Sequence, residues 1–491
     1  MKVFKTLLFV LFTTYLFSQH TPSELGEIDT EVKTLIKQYQ AVGLAVAVVK
    51  NDKVIYSKGF GYRNLEEKLP VTQHTAFHIA SMSKAFTGAL LGILERDNYL
   101  SLKDRPAVHV PNFQFYNDKM NHLIAIEDLL SHKSGLGTHG LSIVLFPEKD
   151  KLKTVQRLKY LKPEDEIKNS WNYSNLGYTL AGTIVEQVTK KTWDSSLQEM
   201  LFKPLQMNAS STTVEVMKKS GDYALGYGKH KGKTVKRPFE NYYAYTPAGA
   251  IKSSVTDLSN WMRVWLDKGV YNGTQVIPED YIRKATSLQN TKYNVTYDKD
   301  SFLFGEGFGW RLRAWFGHYR IRHGGNTNGF SSVMDMFPFE NIGIVVLCNQ
   351  QSSLLPYAIS DDIARRLLGL PTMDYPVDVG DVYMPEPEDQ ELQKDKMPIH
   401  PLKEFSGTYT AAGYGKIEIK EEEASLLAVL PTYTFKLTHL NFNTFYLKGL
   451  PNFDKSFNPE FTVKFDYDTK GGIYALQILG AQKEAVVFLK D

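Results

Sequence analysis

A serine and a lysine stand three positions apart at the start of a predicted helix. Ser81 and Lys84 form the only Ser-x-x-Lys sequence in the chain. The apolar residues that follow recur at helical spacing, which places both side chains on one face, one turn apart; they are Ala85, Phe86, Ala89, Leu90, Ile93 and Leu94. A serine hydroxyl becomes a nucleophile when a base removes its proton, and a desolvated lysine can be that base. The alternative is a helix cap beside a surface lysine.

A tyrosine and an asparagine downstream suit proton transfer and substrate binding. Tyr173 precedes Asn175 by two positions. A tyrosine relays protons when cations lower its pKa, and an asparagine amide orients a substrate amide or a lysine. The same spacing occurs at Tyr62 and Asn64, but this pair ends a predicted hairpin and precedes the serine. The alternative role for Tyr173 is aromatic packing beside Trp171.

A histidine followed by two glycines marks a third segment. His323, Gly324 and Gly325 lie between the stretch 315–322 and a predicted hairpin at 331–347, and therefore within a sheet region. Glycines leave room for a ligand backbone beside a strand. Two Lys-Ser-Gly triplets, at 133–135 and 219–221, flank no strand pattern and are predicted to be turns. The alternative for the glycine pair is a bend in the sheet.

The surrounding pattern predicts one sheet built from both ends of a domain. We expect a helix over 24–40, a hairpin over 44–61, a hairpin over 331–347 and a closing helix that contains Ile363, Leu367 and Leu368. The middle of the chain is mostly helical. The predicted class is α+β, an antiparallel sheet flanked by helices together with an all-α region, over residues 20–370.

The last part of the chain changes character. Residues 371–399 are rich in Pro, Asp and Glu without an apolar period, which predicts a linker. Strict alternation at 461–467, a Gly-Gly turn and the runs 473–479 and 485–489 then predict several short strands. Residues 400–491 are therefore expected to form a small all-β barrel or sandwich.

The first residues are typical of a secretory signal. Two lysines precede an apolar run from Leu7 to Phe17, and Ser18 and Gln19 follow it. We expect removal of residues 1–19 and a periplasmic or secreted protein; the alternative is an N-terminal membrane anchor. The formal net charge of +3 argues against a nucleic-acid partner. The single cysteine, Cys348, excludes an intramolecular disulfide and a cysteine-cluster metal site.

In this order, Ser81-x-x-Lys84, Tyr173-x-Asn175 and His323-Gly324-Gly325 resemble the serine β-lactamase and penicillin-binding-protein-like family. The closest likeness is to its class C and esterase/peptidase (CubicO-type) branch. The stretches 43–49, 129–136, 247–250 and 257–258 support it, and the resemblance covers about residues 25–370. The tail, from about residue 402, resembles a lipocalin-like barrel appended to that branch.

The resemblance implies an acyl-enzyme mechanism with no metal or organic cofactor. Ser81 is expected to attack a carbonyl, Lys84 and Tyr173 to share acid and base duties, and Asn175 to position the substrate. The backbone N–H groups of Ser81 and Asn326 are expected to form the oxyanion hole. His74 and His78 are spaced as metal ligands can be, but no third ligand pattern surrounds them, which favours structural histidines.

One residue departs from the family pattern. His323 stands where β-lactamases and penicillin-binding proteins usually carry lysine, and histidine is mostly neutral at pH 7. We therefore expect an exported peptidase- or esterase-like hydrolase acting on a small peptide, amide or ester. The alternatives are a true β-lactamase or D-alanyl carboxypeptidase, and a non-catalytic penicillin-binding-like sensor. We expect no stable membrane insertion after signal removal, and either self-association through the tail or partial covering of the active-site cleft by it. The alternative role of the tail is a passive stabilising module.

Overall fold

A computed structural model describes residues 23–139, 145–239, 241–291, 299–377, 398, 400–449, 461–479 and 484–491. The predicted signal at 1–19 and most of the predicted linker at 371–399 lie outside these residues. None of the helices within the described ranges combines the length and the apolar character needed to cross a bilayer.

The larger part of the fold is a nine-stranded antiparallel sheet. From edge to edge its strands are Asn290–Thr291, Ser301–Glu306, Arg311–Trp315, His318–Thr327, Phe330–Phe337, Ile342–Cys348, Gly43–Lys50, Lys53–Asn64 and Leu69–Pro70. The N-terminal hairpin joins the C-terminal strands where Gly43–Lys50 pairs with Ile342–Cys348. The expected sheet from both ends of the domain, and the α+β class, are confirmed.

Alternation along the central strand explains why helices cover both faces. Ala45, Ala47 and Val49 enter one hydrophobic cluster, whereas Leu44, Val46 and Val48 enter the other. Both sets are fully buried because side chains of a strand alternate between its faces. The helices Ile28–Gln38 and Leu355–Leu368 pack on the second face, and Val255–Leu266 packs on the first.

The remaining helices form the region that the sequence predicted as mostly helical. The described α-helices there are Ser83–Arg96, Pro106–His109, Asp118–Leu123, Ile126–Leu130, Lys151–Gln156, Asn175–Thr189, Trp193–Leu197, Val214–Lys219, Thr246–Gly249 and Glu279–Ala285. Short 3-10 turns occupy Ser23–Leu25, Ala80–Met82, Arg157–Tyr160 and Tyr243–Tyr245. Three two-stranded ribbons complete it: Phe77–His78 with Lys252–Ser253, Gly226–His230 with Lys233–Arg237, and Val270–Tyr271 with Thr274–Gln275.

The tail is a closed barrel of eight antiparallel strands in chain order. They are Gly407–Ala411, Gly415–Glu422, Ser425–Val429, Thr434–Asn441, Thr444–Gly449, Thr462–Tyr467, Ile473–Leu479 and Val486–Lys490. The helix Leu402–Phe405 precedes it and sends Phe405 against the buried rings of Phe445 and Phe465. The barrel interior is therefore packed with side chains, as in other small barrels.

The barrel docks on the domain that contains the nine-stranded sheet through an aromatic contact. The Phe146 ring lies 5.4 Å from the Phe488 ring and 6.3 Å from the Tyr414 ring, centroid to centroid. Nearby, Lys162 Nζ donates to Glu484 Oε1 at 2.7 Å. Exposed ion pairs contribute little, so the apolar contact holds the two parts together.

Truncation of this ring tests the docking contact. We expect Phe146→Ala to lower the free energy of unfolding by about 3 kcal/mol, because removing a buried phenyl ring leaves a cavity between the domains. Phe339→Ala is the control, since that ring is 83% exposed, and we expect a change within about 0.5 kcal/mol. Denaturant unfolding followed by circular dichroism measures both. Equal stability of the two variants contradicts this account of docking.

Candidate active site

Ser81 lies on a strained turn. The structure corrects one prediction here, because the α-helix begins at Ser83 and Ser81 belongs to the preceding 3-10 turn Ala80–Met82. Ala80 has a φ of 46°, in the left-handed region that residues with a side chain seldom adopt. Ser81 stays partly exposed, whereas the three residues after it are buried. The turn therefore presents one hydroxyl at the N-terminal end of a helix, where backbone N–H groups favour developing negative charge.

Lys84 is buried beneath this hydroxyl. Its side chain is completely inaccessible to solvent, so the alternative of a surface lysine is wrong. Lys84 Nζ lies 3.2 Å from Ser81 Oγ, and it donates to Asn175 Oδ1 and to the carbonyl oxygen of Ala248, each at 2.8 Å. No carboxylate forms an ion pair with it among the residues that the structure describes. Burial and, secondly, the positive charge of Arg311 hold the pKa of Lys84 well below its ordinary value.

Tyr173 approaches the serine from the other side. Its phenol donates to Ser81 Oγ at 2.9 Å. Burial raises the pKa of Tyr173 to about 12, although the hydrogen bond to Ser81 and the charge of Arg311 act in the opposite direction. Tyr173 also packs 6.3 Å from Trp171, so packing and the contact with Ser81 coexist.

Asn175 reaches the site because a helix begins there. Ser174 caps the helix Asn175–Thr189, its Oγ accepting from the Gly177 N–H at 3.2 Å. The competing pair, Tyr62 and Asn64, lies on the strand Lys53–Asn64, where Tyr62 is 40% exposed. The two Lys-Ser-Gly triplets, at 133–135 and 219–221, lie at helix ends and in turns.

The glycine pair brings a strand edge against the serine turn. The strand His318–Thr327 pairs with Arg311–Trp315 only as far as Arg322, but it pairs with Phe330–Phe337 through Thr327. Residues 323–327 therefore extend beyond their pairing with the strand Arg311–Trp315. A Cβ on Gly325 would lie 2.1 Å from the Ile79 carbonyl oxygen, and one on Gly324 would lie 1.8 Å from Tyr357 Oη. The backbone of Ile79 cannot move away as a side chain such as Tyr357 can, so Gly325 is the glycine that this close approach of two backbone segments requires.

His323 and Asn326 flank the glycines on this edge. His323 is buried, and burial together with the charges of Arg311 and Lys84 lowers its pKa to about 3. Its Nδ1 lies 2.7 Å from the Gly324 carbonyl oxygen. Asn326 is exposed, and its Oδ1 accepts from the Ser352 N–H at 2.7 Å. The structure therefore brings all eight predicted residues to one place.

Sequence reasoning missed Arg311, Glu306 and His132. Arg311 Nε lies 3.4 Å from Glu306 Oε1, and Glu306 is almost fully buried. The Arg311 charge acts on the pKa of Lys84, Tyr173 and His323, so a permanent cation stands near a histidine that cannot supply one. His132 accepts from the Ser174 N–H at 3.1 Å and stacks 4.5 Å from the Tyr173 ring. His132 lies in the stretch 129–136, which supports the family resemblance, whereas no sequence motif surrounds Arg311.

The two histidines spaced like metal ligands lie in different surroundings. His74 is exposed and contacts Gln73 and Thr256. His78 is buried, and its ring packs against the rings of Phe239 and Phe330 at 5.5 and 5.1 Å. Across the described ranges, no group of three or more His, Cys, Asp and Glu side chains is placed to hold a metal ion.

Comparison with known proteins identifies relatives of the whole site-bearing domain. The Beta-lactamase family model matches residues 28–368. "Protein flp" of Staphylococcus aureus strain MW2 is 29% identical over 341 residues, which cover 67% of this chain and 64%, just under two thirds, of that relative. "Unguisins hydrolase ungD" of Aspergillus violaceofuscus is 23% identical over 444 residues, 80% of this chain and 76% of that protein.

Two solved structures share the fold over most of the chain. An octameric penicillin-binding protein homologue from Pyrococcus abyssi superposes with a TM-score of 0.64 at 22% identity, covering 94% of this chain and 99% of that one. A second structure, described as SurE, gives a TM-score of 0.58 at 18% identity, with 96% and 99% covered. At these identities the likeness concerns the fold alone.

The electrostatics of the site predict how Ser81 reactivity varies with pH. If Lys84 removes the proton of Ser81 it must be uncharged, so we expect labelling of Ser81 by a fluorophosphonate to decline only when pH falls through the lowered Lys84 pKa. Arg311→Gln removes a cation that disfavours protonated Lys84, which raises the Lys84 pKa and moves the decline to higher pH. Rates of labelling across a pH series measure the shift.

Arg313→Gln is the matched control for this experiment. Arg313 lies on the same strand, and its charge interacts with Arg322, Asp335 and Asp361 rather than with the site lysine. We expect its pH profile to follow that of the unmodified protein. Identical profiles for both variants and the parent would show that Arg311 does not tune Lys84.

Proposed function

Because the chain belongs to the Beta-lactamase family, we propose that it is an exported serine hydrolase that cleaves an amide or ester bond of a small substrate. The reaction runs through an acyl-enzyme on Ser81. The observation that carries the proposal is the completely buried Lys84 amine, 3.2 Å from Ser81 Oγ and hydrogen-bonded to two neutral carbonyl oxygens. These surroundings favour an uncharged amine.

An uncharged Lys84 is arranged to accept the serine proton. A neutral amine has two N–H groups and one lone pair. The carbonyl oxygens of Asn175 and Ala248 take the two N–H groups, which leaves the lone pair for the Ser81 hydroxyl. As Ser81 Oγ bonds to the substrate carbonyl carbon, its proton passes to Lys84 Nζ and the carbonyl electron pair moves to the oxygen.

Tyr173 is the proton donor in this scheme. Its phenol keeps its proton up to about pH 12 and points at Ser81 Oγ. It gives that proton to the leaving nitrogen or oxygen as the carbonyl carbon releases it, and regains one from the Lys84 ammonium. Water then attacks the acyl carbon and gives a proton to the same pair, which returns a proton to Ser81 Oγ as the bond between this oxygen and the acyl carbon breaks.

The strand edge stabilises the oxyanion. The backbone N–H groups of Ser81 and Asn326 donate to the negative oxygen, and Gly325 lets the strand come close enough to the serine turn for both to do so. Loss of one oxyanion donor typically costs about 10²–10³ in rate, which makes this approach essential to the proposal.

His323 favours the peptidase or esterase assignment. With a pKa of about 3 it is neutral near pH 7, whereas a lysine there would offer a cation to a substrate carboxylate. The cation nearby, Arg311, is engaged with Glu306. The Aspergillus relative is named a hydrolase, which supports a catalytic chain rather than a silent sensor.

Substitution of the two reactive residues tests the reaction. We expect Ser81→Ala to abolish fluorophosphonate labelling and ester turnover, and Lys84→Met to slow turnover by about 10²–10⁴, the usual contribution of a general base. Ser220→Ala and Lys219→Met, from one of the Lys-Ser-Gly triplets, are matched controls and should leave kcat/KM unchanged. The measurement is kcat/KM on small esters, with mass spectrometry of the adduct.

The same assays separate the alternatives. We expect small esters and amides to be turned over faster than nitrocefin. Faster turnover of nitrocefin supports the β-lactamase instead, and turnover confined to D-alanyl peptides supports the carboxypeptidase. Absence of any adduct and of turnover on esters, D-amino-acid amides and nitrocefin supports the sensor.

Export and self-association complete the proposal. The signal-like sequence at 1–19 supports export, and the octameric state named for the Pyrococcus homologue supports self-association, for which the barrel offers surface. Expressed in a bacterial host, the protein should lose its first residues and appear in the periplasm or medium. Light scattering on the purified full chain should give a multiple of the monomer mass. An uncleaved chain that stays with the cells contradicts export. A monomeric mass in solution contradicts self-association.

A further inference from the structure

The cavity above Ser81 has walls from both domains. It measures about 490 Å³, and Ser81, Asn175 and Asn326 line its floor. This volume is typical of a pocket for a small molecule. Aromatic side chains line much of the rest: Phe239, Tyr242, Tyr243 and Tyr245 from the hydrolase domain and Tyr433 from the barrel.

The hydrolase-domain part of this aromatic wall is held by packing behind it. The buried ring of His78 stacks against Phe239 at 5.5 Å and against Tyr242 at 6.1 Å, nearly parallel to both. A Cβ on Gly249 would lie 2.6 Å from Tyr242 Cε1, so the tyrosine ring lies directly on this glycine. The wall is therefore in place before a substrate arrives.

The barrel part is held as firmly. Tyr433 ends the turn between the strands Ser425–Val429 and Thr434–Asn441, where the Leu430 N–H donates to its carbonyl oxygen at 2.8 Å. Its ring packs 6.1 Å from Phe435, which is completely buried inside the barrel. Thr432 beside it also lines the cavity, and its Oγ1 lies 3.5 Å from the Leu145 carbonyl oxygen of the hydrolase domain.

The described lining offers no opposite charge to an ionised substrate group. It contains hydroxyl, amide and backbone groups but no Asp, Glu, Lys or Arg side chain. A charged group that entered would lose water without gaining an opposite charge, whereas an aromatic group would gain contact with flat, preorganised rings.

We propose that the cavity binds an uncharged, aromatic acyl group of the substrate, and that Tyr433 of the barrel is a specificity-determining residue for it. The inference deepens the proposed function and rests on it for the bond that is cleaved. It assigns the appended domain a direct part in substrate choice, because one wall of the acyl pocket belongs to that domain.

Ethyl thioesters of phenylacetic, acetic and glutaric acid test the acyl preference with one non-aromatic leaving group. The released thiol is measured with a thiol reagent, and the single cysteine does not interfere because Cys348 is buried. We expect kcat/KM for phenylacetyl to exceed that for acetyl by about tenfold, and the charged glutaryl ester to be the poorest. Equal values for phenylacetyl and acetyl, or a preference for glutaryl, overturn the proposal.

Variants of the barrel residue locate the preference. Tyr433→Ala should lower the phenylacetyl-to-acetyl ratio about fivefold with little change for acetyl, and Tyr433→Phe, which keeps the ring, should restore it. Tyr474→Ala is the matched control, an exposed ring on the same barrel that does not line this cavity. An unchanged ratio in Tyr433→Ala, with thermal stability equal to that of Tyr474→Ala, overturns the role of Tyr433.

A binding measurement separates this inference from the reaction. Calorimetry on Ser81→Ala with phenylacetamide and acetamide reports on the cavity without catalysis. Tighter binding of phenylacetamide, weakened by adding Tyr433→Ala, supports the pocket even if no ester is turned over, in which case the hydrolase proposal alone fails. Turnover of thioesters without a preference for the aromatic acyl group supports the proposed hydrolase and contradicts the proposed acyl pocket.

Discussion

The Lys84 amine, buried without an ion-pair partner among the residues that the structure describes, is the constraint on which the rest of the site depends. An ionised lysine in such surroundings would lose its hydration and gain only neutral acceptors, so the fold favours the uncharged form. That form needs acceptors for its two N–H groups, and chain segments distant in sequence supply them through Asn175 and Ala248. The helix that begins at Asn175 and the short helix Thr246–Gly249 therefore both supply acceptors to the amine that lies beside Ser81.

The sequence predicted which residues lie together at the site better than it predicted their backbone conformation and their neighbours. Residue type and spacing were enough to select Ser81, Lys84 and Tyr173 and to place the glycine pair in a sheet. They could not predict that Ser81 precedes the α-helix on a strained turn, because helical spacing continues through a 3-10 turn and only the backbone angle of Ala80 distinguishes the two. Arg311 also escaped prediction, since its effect depends on strand pairing rather than on a nearby motif.

The fold shows the same division between local and long-range information. Alternation and turn residues predicted both hairpins of the sheet and the all-β character of the tail. Whether the tail was a barrel or a sandwich depended on its first and last strands meeting, as Tyr409 does with Lys490, and no local pattern encodes such a pairing. The packing of Phe146 against Tyr414 and Phe488 could not be predicted from the sequence for the same reason.

The aromatic cavity and the buried lysine both disfavour charge in the same region of the molecule. The Lys84 amine remains uncharged only where water is largely excluded, and the cavity directly above it is walled by rings from both domains. Tyr433 lines this cavity from the barrel side, so the barrel covers part of the region over Ser81. A charged substrate group would bring its hydration water and its electric field close to Lys84, which must stay uncharged to act as the base in the proposed reaction. The lowered pKa of Lys84 follows from its burial, and the proposed preference for uncharged acyl groups follows from a described cavity lining without charged side chains.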